Sequence, residues 1–211
     1  MKKILLTAFE PFDGQTTNPS LEAARALTGI QFLDAAINLA ELPVERFRAI
    51  EMAQERAREL RPDHIVMLGE AGGRFRITPE RVAINVDDFR IPDNAGNQPA
   101  GEPIVEGGPV GYFSTLPVRA ITDRLLKERI PAAISNSAGA YLCNRLFYCV
   151  MHFIATQALP IRAGFIHVPY LHEQALSRYP DVASLSRETI IEGVRLAIEV
   201  TLDHCMQEAG C

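Results

Sequence analysis

Short apolar runs of strand length alternate with longer amphipathic stretches of helical period along most of this 211-residue chain. Lys3–Phe9 reads as a first buried strand. Asn18-Pro19-Ser20 opens a helix through Leu27, with proline suited to the first turn. Gln31–Leu42 alternates imperfectly and is expected to be extended. Glu45–Arg61 carries apolar residues at helical spacing and stops before Pro62. His64–Leu68 is a second buried strand ending at Gly69. Further on, the pattern predicts a helix over about Pro117–Arg129 and a strand over Ala132–Ser135. A long apolar helix follows, from Cys143 to about Ala158, then a strand over Ala163–Val168 and a last helix over about Leu185–Glu208.

Between Gly72 and about Gly111 this regularity fails. The stretch is rich in Gly, Pro, Asn and Asp, with one β-like run at Val82–Val86. Loops and a hairpin are the ordinary expectation, and loops this long in a compact domain are often functional. The alternation elsewhere predicts an α/β fold: a three-layer α/β/α sandwich around a mostly parallel twisted sheet, formed by residues 1–211 as a single domain. In open α/β sheets functional groups gather at the carboxyl ends of the strands. Three of those ends lead into Phe9-Glu10-Pro11-Phe12, Gly69-Glu70-Ala71-Gly72-Gly73 and His167-Val168-Pro169.

Composition narrows the class. A chain that is 47% hydrophobic and 22% charged is ordinary for a globular protein and long enough to bury a core without staples. The formal net charge of −5 argues against general binding to nucleic acid or anionic membranes, which calls for a basic footprint. The apolar start, Met1 to Phe9, superficially resembles a signal peptide, but Glu10 and Asp13 interrupt it too early and no cleavage-like segment follows. No run of about 18 uncharged apolar residues suggests a transmembrane helix. A cytoplasmic protein is expected. The four cysteines, Cys143, Cys149, Cys205 and Cys211, form no C-x-x-C pair and no disulfide framework; terminal Cys211 is expected to be exposed.

Cys143 stands where a helix is expected to begin. The positive end of the helix dipole and unpaired N–H groups there favour the thiolate, the reactive form of cysteine, whereas a free cysteine more commonly just packs. A thiol nucleophile needs a base, and histidine suits that work near neutral pH. His64 opens a strand after Pro62-Asp63, which suggests an edge position. His152 lies about 13.5 Å along the helix from Cys143, too far for contact. His204 sits on the polar C-terminal helix. His167 ends an apolar strand and is favoured over His172 in the following loop, since strand ends hold side chains more rigidly. A third group usually fixes the imidazole. Glu80 enters the β-like run from a polar loop, but Asp87, Asp88 and Asp93 compete with it on equal terms.

Other signals weigh less. Gly69-Glu70-Ala71-Gly72-Gly73 follows a strand, yet it has neither the phosphate-loop pattern nor the spaced glycines of a dinucleotide fingerprint. Asp87-Asp88, Asp93 and Glu102 match no calcium loop, and the His and Cys positions offer no zinc pattern. Neither a metal nor a cofactor is expected. Phe9 and Phe12, which bracket Glu10-Pro11, could line a small pocket, although core packing is the default for phenylalanine.

With Cys143, His167 and Glu80 in view, the chain resembles the pyroglutamyl peptidase I (pyrrolidone carboxyl peptidase) family of cysteine peptidases nearly end to end. Ile4-Leu5-Leu6-Thr7-Ala8-Phe9-Glu10-Pro11-Phe12-Asp13-Gly14 looks like the family's opening, with Asn18-Pro19-Ser20 after it. Gly72-Gly73 through Glu80-Arg81-Val82-Ala83-Ile84-Asn85 resembles the motif around its glutamate. Ser137-Ala138-Gly139 with Cys143-Asn144 resembles the motif around its nucleophile, and Phe165-Ile166-His167-Val168-Pro169 the strand bearing its histidine. The resemblance implies a Cys143–His167–Glu80 triad that removes N-terminal pyroglutamate from peptides, a cytosolic α/β fold and a homo-oligomer, often a tetramer. It also implies aromatic walls at Phe9 and Phe12, the backbone near Glu70 at the lactam, and Asn18, Arg90, Ile91, Tyr141 and Leu142 around the site.

Two departures stand out. Glu70 occupies a position where many relatives carry glutamine, and Ala140 one where threonine is expected. Neither touches the triad. Two other readings compete: a cysteine hydrolase of a different small cyclic amide or acyl group, prompted by Glu70, and a non-catalytic scaffold in which Cys143 is an ordinary buried thiol.

Overall fold

The structure is a computed structural model and describes residues 1–30, 32, 35–178 and 181–208. In chain order the elements are β1 (Lys2–Phe9), α1 (Pro19–Leu27), β2 (Ala35–Leu42), α2 (Arg48–Leu60), β3 (His64–Glu70), β4 (Thr78–Pro79), β5 (Val82–Ile84) and β6 (Gly111–Phe113). They continue with α3 (Val118–Lys127), α4 (Leu142–Thr156), β7 (Arg162–Val168), β8 (Tyr170–Leu171), α5 (His172–Arg178), β9 (Ser184–Leu185) and α6 (Arg187–Glu208). The five-stranded main sheet has the order β2-β1-β3-β7-β4. Its first four strands are parallel and β4 alone runs against β7, so the expected mostly parallel α/β sandwich is what forms.

The two-residue period of the strands sorts their side chains into two cores. Ile4, Leu6, Val66, Leu68 and Ile166 face one way, toward α1, α3 and α6. Leu5, Ile65, Met67 and Phe165 face the other way, toward α2 and α4. His167 has the parity of Phe165 and therefore belongs to the α4 side. Each large apolar side chain buried this way contributes about 1.5–3 kcal/mol. The first apolar run is thus an inner strand, with all of Ile4 to Ala8 buried.

Local signals account for the element ends. Asn18 caps α1 by accepting the Ser20 N–H at 3.0 Å, with Pro19 inside the first turn. In α2, Ala49, Ala53 and Ala57 form the buried stripe, and Arg61 closes the helix in the left-handed conformation (φ 49°) before Pro62. The last helix starts at Arg187 rather than Leu185. Ser186 Oγ accepts the Thr189 N–H at 3.1 Å, and Leu185 is used by β9 in its pairing with β8.

Three expectations are corrected. His64 lies on an inner strand, between β1 and β7, and is buried. The β-like run ends at Ile84, and its partner is the distant β6 rather than the other arm of a tight hairpin. Ala132–Ser135 forms only isolated bridges with 77–80. Hydrogen bonds run Ile77 N to Pro131 O, Ala133 N to Ile77 O, Ser135 N to Pro79 O and Arg81 N to Ser135 O. The step missing from this ladder is the one that Pro79, with no N–H, cannot donate. Of the expected extended run Gln31–Leu42, residues 31, 33 and 34 lie outside the described residues, as does Cys211.

Candidate active site

Three carboxyl ends of the sheet and the start of α4 converge on one cavity of about 300 Å³. The nucleophile candidate reaches it through local backbone geometry. Gly139 takes φ +80°, a left-handed conformation that favours glycine, and the chain turns there into α4. Tyr141 is the N-cap and supplies no side-chain cap. The N–H groups of the first turn, including that of Cys143, therefore meet no capping side chain and form a ready anion-binding end. Cys143 is only partly buried, and with His167 it opens into the cavity.

Close packing fixes the thiol. At Gly69, on β3, an added Cβ would stand 2.9 Å from Cys143 Sγ and 2.7 Å from Phe165 Cζ. Only glycine fits between the strand and the sulfur. The next residue on α4, Asn144, is fully buried and stitches the helix start to β5. Its Oδ1 accepts the Ile84 N–H at 2.9 Å, and its Nδ2 donates to Ile84 O at 2.9 Å and Val86 O at 3.1 Å.

His167 and Glu80 arrive from adjacent strands. β4 pairs Thr78 with His167, and the Glu80 N–H donates to Phe165 O at 2.8 Å. This register brings His167 Nδ1 to 2.7 Å from Glu80 Oε1, with both side chains buried. The carboxylate accepts from Nδ1–H, so Nε2 is the imidazole's free acceptor. Glu80 Oε1 also accepts from Arg74 Nη1 at 2.6 Å, and Arg74 in turn donates to Thr78 Oγ1 at 2.5 Å and Ser137 O at 3.0 Å.

Electrostatics separate the three groups. Burial alone would raise the Glu80 carboxyl, but the hydrogen bonds it accepts from His167 and Arg74 hold it below the usual carboxylate range. Burial, assisted by the Arg74 cation, holds His167 below the ordinary histidine value despite Glu80. Burial and the Glu80 and Glu70 carboxylates push the Cys143 thiol up to about 12, against a smaller pull from Arg74. Desolvation thus opposes the thiolate that the helix start favours.

The remaining predicted residues divide between two neighbouring cavities. Phe9, Phe12, Asn18, Tyr141 and Leu142 line the one that holds Cys143. Arg90 and Ile91 line a second, of about 250 Å³, and do not reach the first. Phe12, Glu70, Gly72 and Tyr141 are shared by both. Glu70 is held by Gln174, whose Nε2 donates to Glu70 Oε2 at 2.9 Å. His172 begins α5 and bonds Ser184 Oγ at 2.8 Å, while His152 bonds the Tyr112 hydroxyl at 2.8 Å, so neither serves this cavity. Asp87 is buried between Arg46 and Arg145, and Asp93 accepts from Asn97 and Arg46, so both are engaged elsewhere. Sequence reasoning missed Arg74 and Gln174. Arg74 directly follows the quoted Gly72-Gly73, but nothing local distinguished it from other surface arginines. Among the described residues no group of three or more His, Cys, Asp and Glu gathers as for a metal. No helix among them is long and apolar enough to cross a membrane.

A parallel α/β sandwich with a cysteine at a helix start and a buried histidine–glutamate pair beside it defines the class of the site, that of a thiol hydrolase. Comparison with known proteins gives the family. Residues 2–204 match the family model described as pyroglutamyl peptidase. The pyrrolidone-carboxylate peptidase of Brevibacillus brevis is 48% identical over 204 residues, covering 97% of this chain and 94% of that one. That of Vibrio vulnificus is 49% identical, covering 96% and 94%. Among solved structures, pyrrolidone carboxyl peptidase from Thermococcus litoralis superposes with TM-score 0.95 at 40% identity, over 99% of this chain and 96% of that one. Pyroglutamyl peptidase I from Bacillus amyloliquefaciens gives 0.91 at 44%, over 95% and 97%. The chain belongs to the pyroglutamyl peptidase family.

Proposed function

We propose that this protein is a cysteine exopeptidase that removes pyroglutamate from the N-terminus of peptides, with Cys143 as nucleophile, His167 as general base and acid, and Glu80 as the carboxylate that orients His167. The observation that carries the reading is the 2.7 Å Glu80–His167 pair, whose His167 lines one small cavity together with Cys143. Family membership supplies the substrate class.

His167 Nε2 takes the thiol proton as Cys143 Sγ bonds to the carbonyl carbon that joins pyroglutamate to the next residue. The oxyanion is held by first-turn N–H groups of α4, that of Cys143 among them. Ionised Glu80, fixed by Arg74, stabilises the imidazolium. His167 then protonates the departing nitrogen, the C–N bond breaks, and a thioester remains. Water, deprotonated by His167, attacks the thioester and releases pyroglutamic acid and the thiol. A compact lactam suits a cavity walled by Phe9, Phe12, Tyr141 and Leu142.

A second reading, hydrolysis of another small cyclic amide, is favoured by the Glu70 carboxylate at the cavity wall. Comparing chromogenic pyroglutamyl, prolyl and glutamyl amides separates the two. The proposal expects turnover of the pyroglutamyl amide alone, and a better prolyl or glutamyl substrate would overturn it. We further propose a single-domain, cytoplasmic enzyme that assembles as a homotetramer, an assembly that light scattering of the purified protein tests.

A further inference from the structure

Cleavage needs the departing nitrogen within reach of His167, so the peptide after pyroglutamate leaves on the His167 side of the catalytic cavity. The opposite side is given over to the rings of Phe9, Phe12 and Tyr141. On the His167 side the sheet register sets Thr78 directly beside the histidine, and Arg74 donates to Thr78 Oγ1 at 2.5 Å. Arg74 lines the catalytic cavity and also a groove of about 510 Å³ beyond it, whose walls include Arg76, Thr78, Ser135, Asn136 and Ser137. The Arg74 side chain, 31% exposed, is the one wall the two spaces share. A peptide leaving past His167 meets it first.

The groove has definite chemistry. Three of the five N–H groups of Arg74 are used by Thr78, Glu80 and Ser137. Its Nε–H and one Nη2–H remain for an acceptor from outside the chain. The charge of Arg74 is matched by Glu80, whereas that of Arg76 is not. Arg76 lies over the Phe75 ring at 4.1 Å, which steadies the guanidinium, and makes no ion pair among the described residues. No carboxylate among them lines the groove. The exposed Asn136 adds an amide that can pair with peptide backbone. The wall is thus net positive, in a chain whose formal net charge is −5.

Resting on the peptidase reading above, we infer that this groove receives the first residues of the departing peptide, with Arg74 donating to their backbone carbonyls and Arg76 favouring acidic side chains over basic ones. Arg76 is then a specificity-determining residue on the leaving side of the scissile bond. A preference for acidic peptides runs against the overall charge of the chain, so it reports the groove rather than long-range attraction.

Three pyroglutamyl peptide amides, carrying Glu-Glu, Gln-Gln or Lys-Lys after the ring, test this by kcat/KM with the wild type, Arg76→Gln and Arg76→Lys. The expected order is Glu-Glu, then Gln-Gln, then Lys-Lys, with roughly tenfold between the extremes at low salt and less at high salt, as for partly exposed charges. Arg76→Gln narrows that ratio, and Arg76→Lys, which keeps the charge, retains most of it. Equal rates for the three peptides in the wild type, a preference for Lys-Lys, or a ratio unmoved by Arg76→Gln would overturn the inference while leaving the peptidase reading intact. Failure to cleave any of the three would overturn the peptidase reading, and the inference with it.

Discussion

Oε1 of Glu80 lies 2.7 Å from Nδ1 of His167, and the pair is buried at the junction of β4 and β7. The bond leaves Nε2 as the ring's acceptor, and in the proposed mechanism that nitrogen takes the thiol proton while the ionised carboxylate offsets the charge His167 acquires. Glu80→Gln keeps the shape and removes the charge. We expect kcat on a pyroglutamyl amide to fall by about 10²- to 10⁴-fold with little change in KM, as when a triad acid is lost. Steady-state kinetics on a variant of unchanged circular dichroism checks this.

Arg74 shares that same carboxylate oxygen and lowers the pKa of His167 through its charge. Removing the cation in Arg74→Ala raises the pKa of His167, so the base is protonated at higher pH. The acid limb of the kcat/KM profile should move to higher pH, accompanied by a loss of rate. A limb that stays in place while the rate falls would make Arg74 a purely structural residue.

The same shifts bear on stability. His167 is held below 6.5 when folded, so below that pH the unfolded chain takes up a proton that the folded site resists. Stability is therefore lost as pH falls from about 6.5 toward the folded value. Glu80, held below 4.5, adds stability above 4.5 that is lost as pH falls through its own depressed pKa. Melting temperatures measured from pH 7 to pH 4 should fall, and His167→Gln should flatten the upper part of that decline.

Gly69→Ala forces a methyl group to 2.9 Å from Cys143 Sγ and 2.7 Å from the Phe165 ring. Either the sulfur or the ring must give way. Overpacking of this kind costs about 1–3 kcal/mol. Denaturant unfolding should show that loss, together with a fall in kcat larger than the residual folded fraction explains.

Much of this arrangement was legible in the chain. The Asn18-Pro19 cap, the short apolar runs of β1, β3 and β7, and the apolar run after Cys143 are local signals, and they place a thiol and an imidazole at the same edge of a parallel sheet. Glu80 was one acid among several until the motifs around it were read together. What stayed hidden depends on partners far away in sequence. His64 looks like an edge residue until β7 pairs beside it, and β5 finds β6 across the whole irregular loop. Ala132–Ser135 has strand composition, but the proline that interrupts its ladder lies on the neighbouring segment. Arg74 reaches Ser137 across 63 positions, and Gln174 reaches Glu70 across 104. The burial that opposes the Cys143 thiolate is hidden for a related reason, since the helix start is local whereas the packing around the sulfur comes from β3 and β7.

The central claim is that the Cys143 thiol forms the bond to the pyroglutamyl carbonyl. The most direct measurement is hydrolysis of a chromogenic pyroglutamyl amide by the wild type and by Cys143→Ala, both shown to be folded. Steady turnover by the wild type and a rate lower by more than about 10³-fold in the variant are expected. Equal turnover by the two proteins would contradict it.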